Sequence, residues 1–447
     1  MSRVLILHYH EIWLKGGNRR FFLSRLVAAV KRALAGLPVK SVVHVSDRLI
    51  LSAENDVGLN LLLERLRRVF GIAYIAVAEE APLELPALTK AACDLMVKKN
   101  PRSFAARVKM AAPNFGMNSM QVERELGREI LQALRARSSD VRVNLEAPEA
   151  TCWIEIIPEH AYVYTERVAG AGGLPAATAG RLVTLLSGGF DSAVAGYKMM
   201  RRGAHSVFVH FYGSPGPSKS SSVQVAEEIV STLTPYQFTS RLYEIPFDGA
   251  QRQIVAGAPE RYRVLLYRRL MARIARQVAL AERALGLVTG DSVSQVASQT
   301  LHNLAALDHG MDLPVYRPLA GDDKEDVVRW ARQIGTYSIS CQPFEDCCPR
   351  FLPRSPAIFA KPEELVRAEA RLDIEGLITS SLEEAKVVDF KYEGGQVRRQ
   401  AAIPHRFQKL VLRRKTADGQ IASQTHEGNL EQEGPRDCVE HAKADPR

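Results

Sequence analysis

Six residues, Ser187-Gly188-Gly189-Phe190-Asp191-Ser192, bring together the groups that a phosphate binder needs. They follow an apolar run at residues 182–186 and precede a helical pattern at 193–200. A buried strand, a tight turn and a helix start are therefore written in order. The two glycines leave the backbone open to a phosphate, and the helix N-terminus adds free N–H groups and a positive dipole. Ser187 and Ser192 supply hydroxyls, and Asp191 supplies a carboxylate suited to Mg²⁺. The Gly-Lys-Ser/Thr ending of a Walker loop is absent. The plain alternative is a Ser/Gly turn between a strand and a helix, which six residues of these types in this context argue against.

A second chemistry lies in Cys341, Cys347 and Cys348, with Arg350 and Arg354 close by in sequence. A thiolate is the nucleophilic form, and neighbouring guanidinium groups lower a thiol pKa. The alternatives are small buried thiols, or an iron–sulfur or zinc site. No C-x-x-C spacing is present, so metal ligation would need an outside residue such as Cys152 or a histidine. A third group is cationic. Arg19, Arg20, Arg107, Lys109 and Arg142 fall in the first 165 residues, where they suit RNA phosphates or simply form a solvated basic face.

The elements that must position these groups form three units. Residues 4–9 read as a strand, Gly16-Gly17-Asn18 as a turn, 19–35 as a helix, 42–51 as strand-turn-strand, and 59–69 as a helix. This alternation, β-α-β-α-β, suits a small ferredoxin-like α+β domain at 1–75. Residues 76–168 form a second α+β unit. It has helices at 86–99 and from Met120 to about Arg135, the latter with Ser119 as N-cap. Its strands fall at 104–109, 141–145, 153–157 and 161–165. The glycine-rich stretch within 169–178 reads as a flexible linker. In 179–391, strands at 182–186, 206–211, 242–246 and 286–289 alternate with helices at 192–201, 221–233 and 262–283. That is a doubly wound parallel sheet, and the overall class is α/β. Helical segments continue to about Val388, and 392–447 reads as a basic, then mixed-charge tail, partly disordered.

At 447 residues and 46% hydrophobic, the chain can bury several cores. Its formal charge of +9 favours a polyanionic partner. Residues 1–50 hold nine Lys/Arg against Glu11 and Asp47. No apolar run approaches the roughly 20 residues needed to span a bilayer, so no membrane is expected. The N-terminus reads as a strand and not as a signal peptide. Six unevenly placed cysteines exclude a secreted disulfide framework and point to the cytoplasm.

Ser187 to Ser192 resembles the SGGxDS PP-loop of enzymes that split ATP into AMP and pyrophosphate. The likeness extends to the bacterial tRNA uracil 4-sulfurtransferase (ThiI) family. It is carried by Glu11-Ile12-Trp13-Leu14-Lys15-Gly16, Asn118-Ser119-Met120, Gly172-Gly173-Leu174-Pro175, Arg268-Arg269-Leu270-Met271 and Val288-Thr289-Gly290-Asp291. It continues through Gln295 to Leu301, Arg317-Pro318-Leu319 with Asp323-Lys324, and Asp346-Cys347-Cys348. The resemblance covers roughly residues 3–390. It implies a ferredoxin-like domain, a THUMP-like RNA-binding domain and a PP-loop ATP pyrophosphatase domain.

The resemblance implies an enzyme that adenylates a tRNA uridine at C4 and replaces the activated oxygen with sulfur, giving 4-thiouridine. It also implies a contribution to thiamine thiazole synthesis. The cofactors are ATP and Mg²⁺. The partners are tRNA, a cysteine desulfurase or other persulfide donor, and a second copy of the chain. Ser187, Gly188, Gly189 and Ser192 would cradle pyrophosphate, Asp191 would act on or hold Mg²⁺, and Arg268 would stabilise phosphate charge. Taken alone, Arg268 reads as a solvated helix residue. Leu185, Leu186, His210, Phe211, Gly290 and Gln299 complete the ATP site. Lys324 reads as a helix-start residue within reach of a phosphate or the tRNA. Cys347, and next to it Cys348, match the sulfur-handling position. RNA contact falls to Arg19, Arg20, Arg107, Lys109 and Asn118.

The chain departs from the family pattern in five places. Ala193 stands for the usual Pro, Ser294 for Gly, Asp291 for Glu, and His8 and His10 for Arg and Gly. Residues 392–447 are too short for the rhodanese domain of longer members and hold no C-x-x-G-x-R loop. The resemblance is to the short form, with sulfur arriving on Cys347 or Cys348 directly or from a separate carrier. Two other readings stay open: a PP-loop paralogue with another substrate, and a non-catalytic tRNA-binding protein.

Overall fold

The computed structural model describes residues 3–53, 58–112, 115–138, 140–213, 221–344, 351 and 353–402. The N-terminal unit runs β1 (Arg3–His8), α1 (Arg19–Ala33), β2 (Val39–Val45), β3 (Arg48–Ala53), α2 (Leu59–Leu66) and β4 (Tyr74–Ala81). The order is β-α-β-β-α-β, because the strand-turn-strand at 42–51 supplies two strands. Helix α1 buries Leu26, Val30 and Ala33, spaced to share one face, against Leu5 and Leu7 of β1. The β2–β3 hairpin turns at Ser46 and Asp47, both at positive φ, as a tight primed turn requires. Gly16-Gly17-Asn18 is part of a short 3-10 stretch (Glu11–Asn18) broken at Gly16.

The second unit comprises α3 (Leu85–Lys99), β5 (Ser103–Met110), α4 (Ser119–Arg135), β6 (Arg142–Val143), β7 (Ala150–Ile156) and β8 (Ala161–Ala169). It does not form a separate sheet. β4 pairs with β8, so both units share one eight-stranded sheet of order β2-β3-β1-β4-β8-β7-β5-β6. One face packs on the helices. The other carries Val4, Ile6, Ile50, Ala76, Ala78, Tyr162 and Tyr164. The expected strand at 141–145 shrinks to Arg142–Val143. The α4 cap is Asn118, not Ser119. The Asn118 side chain accepts from the Gln121 N–H, and Gln121 accepts from the Asn118 N–H, both at 2.9 Å.

The third unit opens with β9 (Arg181–Leu185), α5 (Phe190–Arg201), β10 (His205–Tyr212), α6 (Ser221–Gln237), β11 (Thr239–Pro246) and α7 (Asp248–Gly257). It continues with α8 (Arg263–Glu282), β12 (Leu287–Val288), α9 (Leu301–Asp308), β13 (Val315–Tyr316), α10 (Lys324–Ile334) and α11 (Tyr337–Ser340). It ends with α12 (Pro362–Glu369), α13 (Ile374–Glu383), β14 (Lys386–Glu393) and β15 (Gln396–Ala402). The sheet order is β13-β12-β9-β10-β11-β14-β15, with the first five strands parallel. Apolar cores on both faces make it doubly wound.

Two sequence expectations change here. The helical pattern stops before Lys386, and residues 392–402 belong to an antiparallel hairpin on the sheet edge, not to a tail. Val387, Phe390 and Tyr392 are buried there, with Val387 and Phe390 on opposite faces of the sheet, so no simple alternation marks the strand among its basic neighbours. The glycine-rich linker is docked. Gly71 N–H donates to Gly172 O and Gly172 N–H to Ile72 O, both at 2.8 Å, and Leu174 N–H donates to Arg201 O at 3.0 Å. Phe70 enters the third unit beside Tyr197 and Tyr236, each ring 5.4 Å away. Among the described residues no helix is long and apolar enough to cross a membrane. Residues 403–447 lie outside the described residues.

Candidate active site

Strand order locates the crevice. From β9 the chain moves to β10 and β11, then crosses back to β12 and β13 on the other side. The loops leaving β9 and β12 thus diverge at their C-terminal ends, where open α/β sheets take ligands. The first loop is Leu186 to Gly189, and the second holds Thr289, Gly290 and Asp291. The second loop meets the first turn of α5 at Gly290, where a Cβ would lie 2.6 Å from Ser192 N. A glycine is needed for that approach.

The first loop is braced from within. Ser192 Oγ accepts from the Ser187 N–H at 3.0 Å, and the two hydroxyls are 3.1 Å apart. Ser187 Oγ accepts from the Gly189 N–H at 3.3 Å. No side chain caps α5, so its first-turn N–H groups stay available to an anion. Asp191, in that first turn, meets Lys324 at the start of α10, with Nζ 3.0 Å from both carboxylate oxygens. Lys324 also lies 4.3 Å from the Phe190 ring centre. The Phe344 ring covers Gly188, 2.4 Å from where a Cβ would stand.

Behind the second loop is a buried charge cluster. Asp291, 5% exposed, accepts from Arg268 at 2.6 Å, Thr289 Oγ1 at 2.8 Å, Gln299 Nε2 at 3.1 Å and Arg317 Nε at 3.3 Å. Arg317 also grips Asp308 through two bonds of 2.7 and 2.6 Å. Burial pushes the Asp291 carboxyl up, but the Arg268 charge, the Thr289 hydroxyl and Arg317 outweigh it and hold the pKa below the usual range. Sequence reasoning placed Arg268, Gly290 and Gln299 here. It quoted Thr289, Asp291 and Arg317 only among the residues that carry the resemblance or depart from it, without a role, and did not single out Asp308 at the end of α9.

The remaining expected residues divide. Leu185 ends β9 and Leu186 opens the loop. His210 is buried, with Nδ1 2.9 Å from Leu186 O and Nε2 3.2 Å from Ser222 Oγ, and so struts the loop. The Phe211 side chain packs in the core against Phe247. Cys347 and Cys348 lie outside the described residues; the described chain before them ends at Phe344. Cys341 is exposed. Burial pushes the Cys152 thiol up to about 12, which makes it a poor outside ligand. Among the described residues no cluster of His, Cys, Asp and Glu could hold a metal.

Of the RNA candidates, Arg20 is exposed, while Arg19 is paired with Asp47 and stacked 3.9 Å from the Trp13 ring centre. Arg107 donates to Leu145 O at 2.6 Å, and Lys109 to Tyr74 Oη at 3.3 Å. Asn118 spends its side chain on the α4 cap beside an open pocket of about 580 Å³ that Met110 and Met117 also line. Lys109 belongs to a basic and aromatic patch on the helix-free sheet face. There Arg167 lies 3.2 Å from the Trp153 ring centre and 4.6 Å from that of Tyr74.

Residues 177–374 match the family described as Thiamine biosynthesis protein (ThiI), 4–76 the ThiI ferredoxin-like domain, and 84–166 the THUMP domain. The probable tRNA sulfurtransferase of Moorella thermoacetica is 39% identical over 399 residues, spanning 89% of this chain and 100% of that protein. That of Thermus thermophilus is 40% identical over 391 residues, spanning 88% and 95%. A solved 4-thiouridine synthetase–RNA complex with bound ATP superposes with a TM-score of 0.75 at 31% identity, covering 87% of this chain and 99% of that one.

Proposed function

This chain belongs to the ThiI family of tRNA sulfurtransferases, and we infer from that premise that it is an ATP-dependent enzyme making 4-thiouridine in tRNA. The observation that carries this reading is the intact Ser187–Ser192 loop at the crossover of β9 and β12, with Lys324 on its Asp191 and the Arg268–Asp291 pair on the adjoining loop. A uridine C4 oxygen is a poor leaving group, and AMP is a good one. The first step therefore joins that oxygen to the α-phosphorus of ATP and releases pyrophosphate. In the second, the outer sulfur of a persulfide attacks C4 as AMP leaves, and a second thiol then attacks the carrier sulfur, breaking the S–S bond, forming a disulfide with the carrier and freeing 4-thiouridine.

The residues present suit these demands. The open α5 N-terminus and the Gly188-Gly189 backbone receive the departing pyrophosphate. Arg268 stabilises charge as the α-phosphorus is attacked. Asp191 offers two hard oxygens on a partly exposed side chain, which fits Mg²⁺ shared with substrate phosphates, as this ion is usually held. Bound there, Mg²⁺ would neutralise phosphate charge. Lys324, paired with the Asp191 carboxylate, adds a cation at the same loop for a substrate phosphate. Cys347, with Cys348 beside it, takes the sulfur role, supplied by a cysteine desulfurase or other persulfide donor. The same sulfur chemistry serves thiamine thiazole synthesis. The basic patches of the first two units, with Arg20 and Lys109, hold tRNA phosphates.

The test is incubation with ATP, Mg²⁺, sulfide and unmodified tRNA, followed by near-ultraviolet absorbance and nucleoside mass spectrometry. We expect 4-thiouridine, abolished by Asp191→Ala. Absence of the product, with tRNA bound and ATP left intact, would overturn the reading.

A further inference from the structure

We propose that Asp291 is a positioning residue of the nucleotide site, which aims Arg268 and Gln299 at bound ATP. The inference rests on the adenylation reading above and extends it to a residue that touches no substrate itself.

Three features of the cluster lead there. First, Arg268 leaves the long, largely buried helix α8, and two bonds fix its guanidinium: Nη2 to Asp291 Oδ1 at 2.6 Å and Nη1 to Ser298 O at 2.9 Å. Without Asp291 a single carbonyl would hold it. Second, a carboxylate only accepts hydrogen bonds, so Gln299 must turn Nε2 toward Asp291. Its Oε1 is then buried with no partner among the described residues, an acceptor kept for a donor that a ligand brings. Asp291 thereby sets which end of the Gln299 amide is offered. Third, the cluster is fastened to the phosphate loop. Gly290 packs on the Asp191–Ser192 backbone, and Thr289 and Arg317 hold the second Asp291 oxygen. The Arg317–Asp308 pair balances the added charge, so Asp291 is free to orient Arg268. Alignment to within a fraction of an ångström is what such supporting groups provide.

The test is a double-mutant cycle on ATP affinity, measured calorimetrically with Mg²⁺ on the full chain, and on tRNA-dependent ATP–pyrophosphate exchange. Asp291→Asn keeps the shape and removes the charge. We expect it to weaken ATP binding about tenfold, and Arg268→Leu to do so by a similar factor. The double variant should be no worse than the weaker single variant within about twofold, and Asp291→Glu should recover most of the loss. A merely structural role would lower the melting temperature without this coupling to Arg268. Multiplying losses, or wild-type affinity in Asp291→Asn, would overturn the proposal. If Asp291→Asn does not fold, Thr289→Val frees Oδ2 and should weaken ATP about threefold, again only while Arg268 is present. Unchanged affinity in that variant overturns the proposal equally. A wild-type chain that binds no ATP would instead sink the adenylation reading.

Discussion

Asp191 and Lys324 neutralise each other across the phosphate loop, so either substitution leaves an unpaired charge where ATP must enter. Lys324→Met is expected to slow tRNA-dependent ATP–pyrophosphate exchange by about 100-fold while the fold stays intact, read by exchange kinetics beside circular dichroism. Ser294 carries a different load. It stands at φ 63°, a left-handed conformation, in an exposed turn before Gln299. Ser294→Gly should raise stability by about 1 kcal/mol, measured by denaturant unfolding, and leave ATP affinity unchanged. Glu155 sets a pH limit. Burial works against its charge, but His8, Arg48 and the Tyr164 hydroxyl outweigh this and hold its pKa at about 2, against 4.5 ordinarily. A depressed carboxyl contributes stability above its unfolded pKa and loses it as pH falls through the folded one. Glu155→Gln should therefore destabilise at pH 7 by on the order of 2–3 kcal/mol, with the difference fading between pH 4.5 and 2 in urea titrations. At this scale the phosphate loop was legible because six adjacent residues carry it. Of the Asp291 cluster, Arg268 and Gln299 were named but not their meeting on Asp291, because its donors come from α8, the segment before α9, and the ends of β12 and β13.

Among the elements, α4 shows how a local signal is read correctly in kind and misplaced by one position. The Asn118-Ser119 pair offers two capping side chains, and only the geometry of the Gln121 partner chooses Asn118. Asn118→Ala should cost about 1 kcal/mol and speed amide exchange in the first turn of α4, whereas Asn118→Ser should cost little. Any loss of tRNA affinity in Asn118→Ala should then track α4 order. The β14–β15 hairpin was hidden for another reason. Its exposed positions include Lys386, Lys391, Arg398 and Arg399, and the overall basic composition outweighed the buried Val387, Phe390 and Tyr392 between them. A strand on a sheet edge is free to be charged on one side, so composition is a poor guide there.

Across the whole molecule, the RNA-binding candidates and the adenylation crevice sit on different sheets, and their separation is fixed by packing. Arg65 of α2, buried between units, donates to Ala35 O and Gly394 O, both at 3.0 Å, tying α2 and the segment after α1 to the edge hairpin. Glu11 and Arg202 pair at 2.7 Å on the surface. Arg65→Ala should lower tRNA-dependent turnover several-fold while ATP affinity measured alone stays near wild type. Equal loss of both would mean that the contact serves stability only. Neither docking contact was visible in sequence, since Arg65 and Gly394, like Glu11 and Arg202, are more than a hundred positions apart. The shared eight-stranded sheet has a consequence during synthesis on the ribosome. β4 emerges early, yet its outer edge is completed only by β8, after the intervening helices and strands have been made. The nascent first unit must therefore carry an unpaired strand edge through that interval, a template for misassembly that closes only when residues 161–169 arrive.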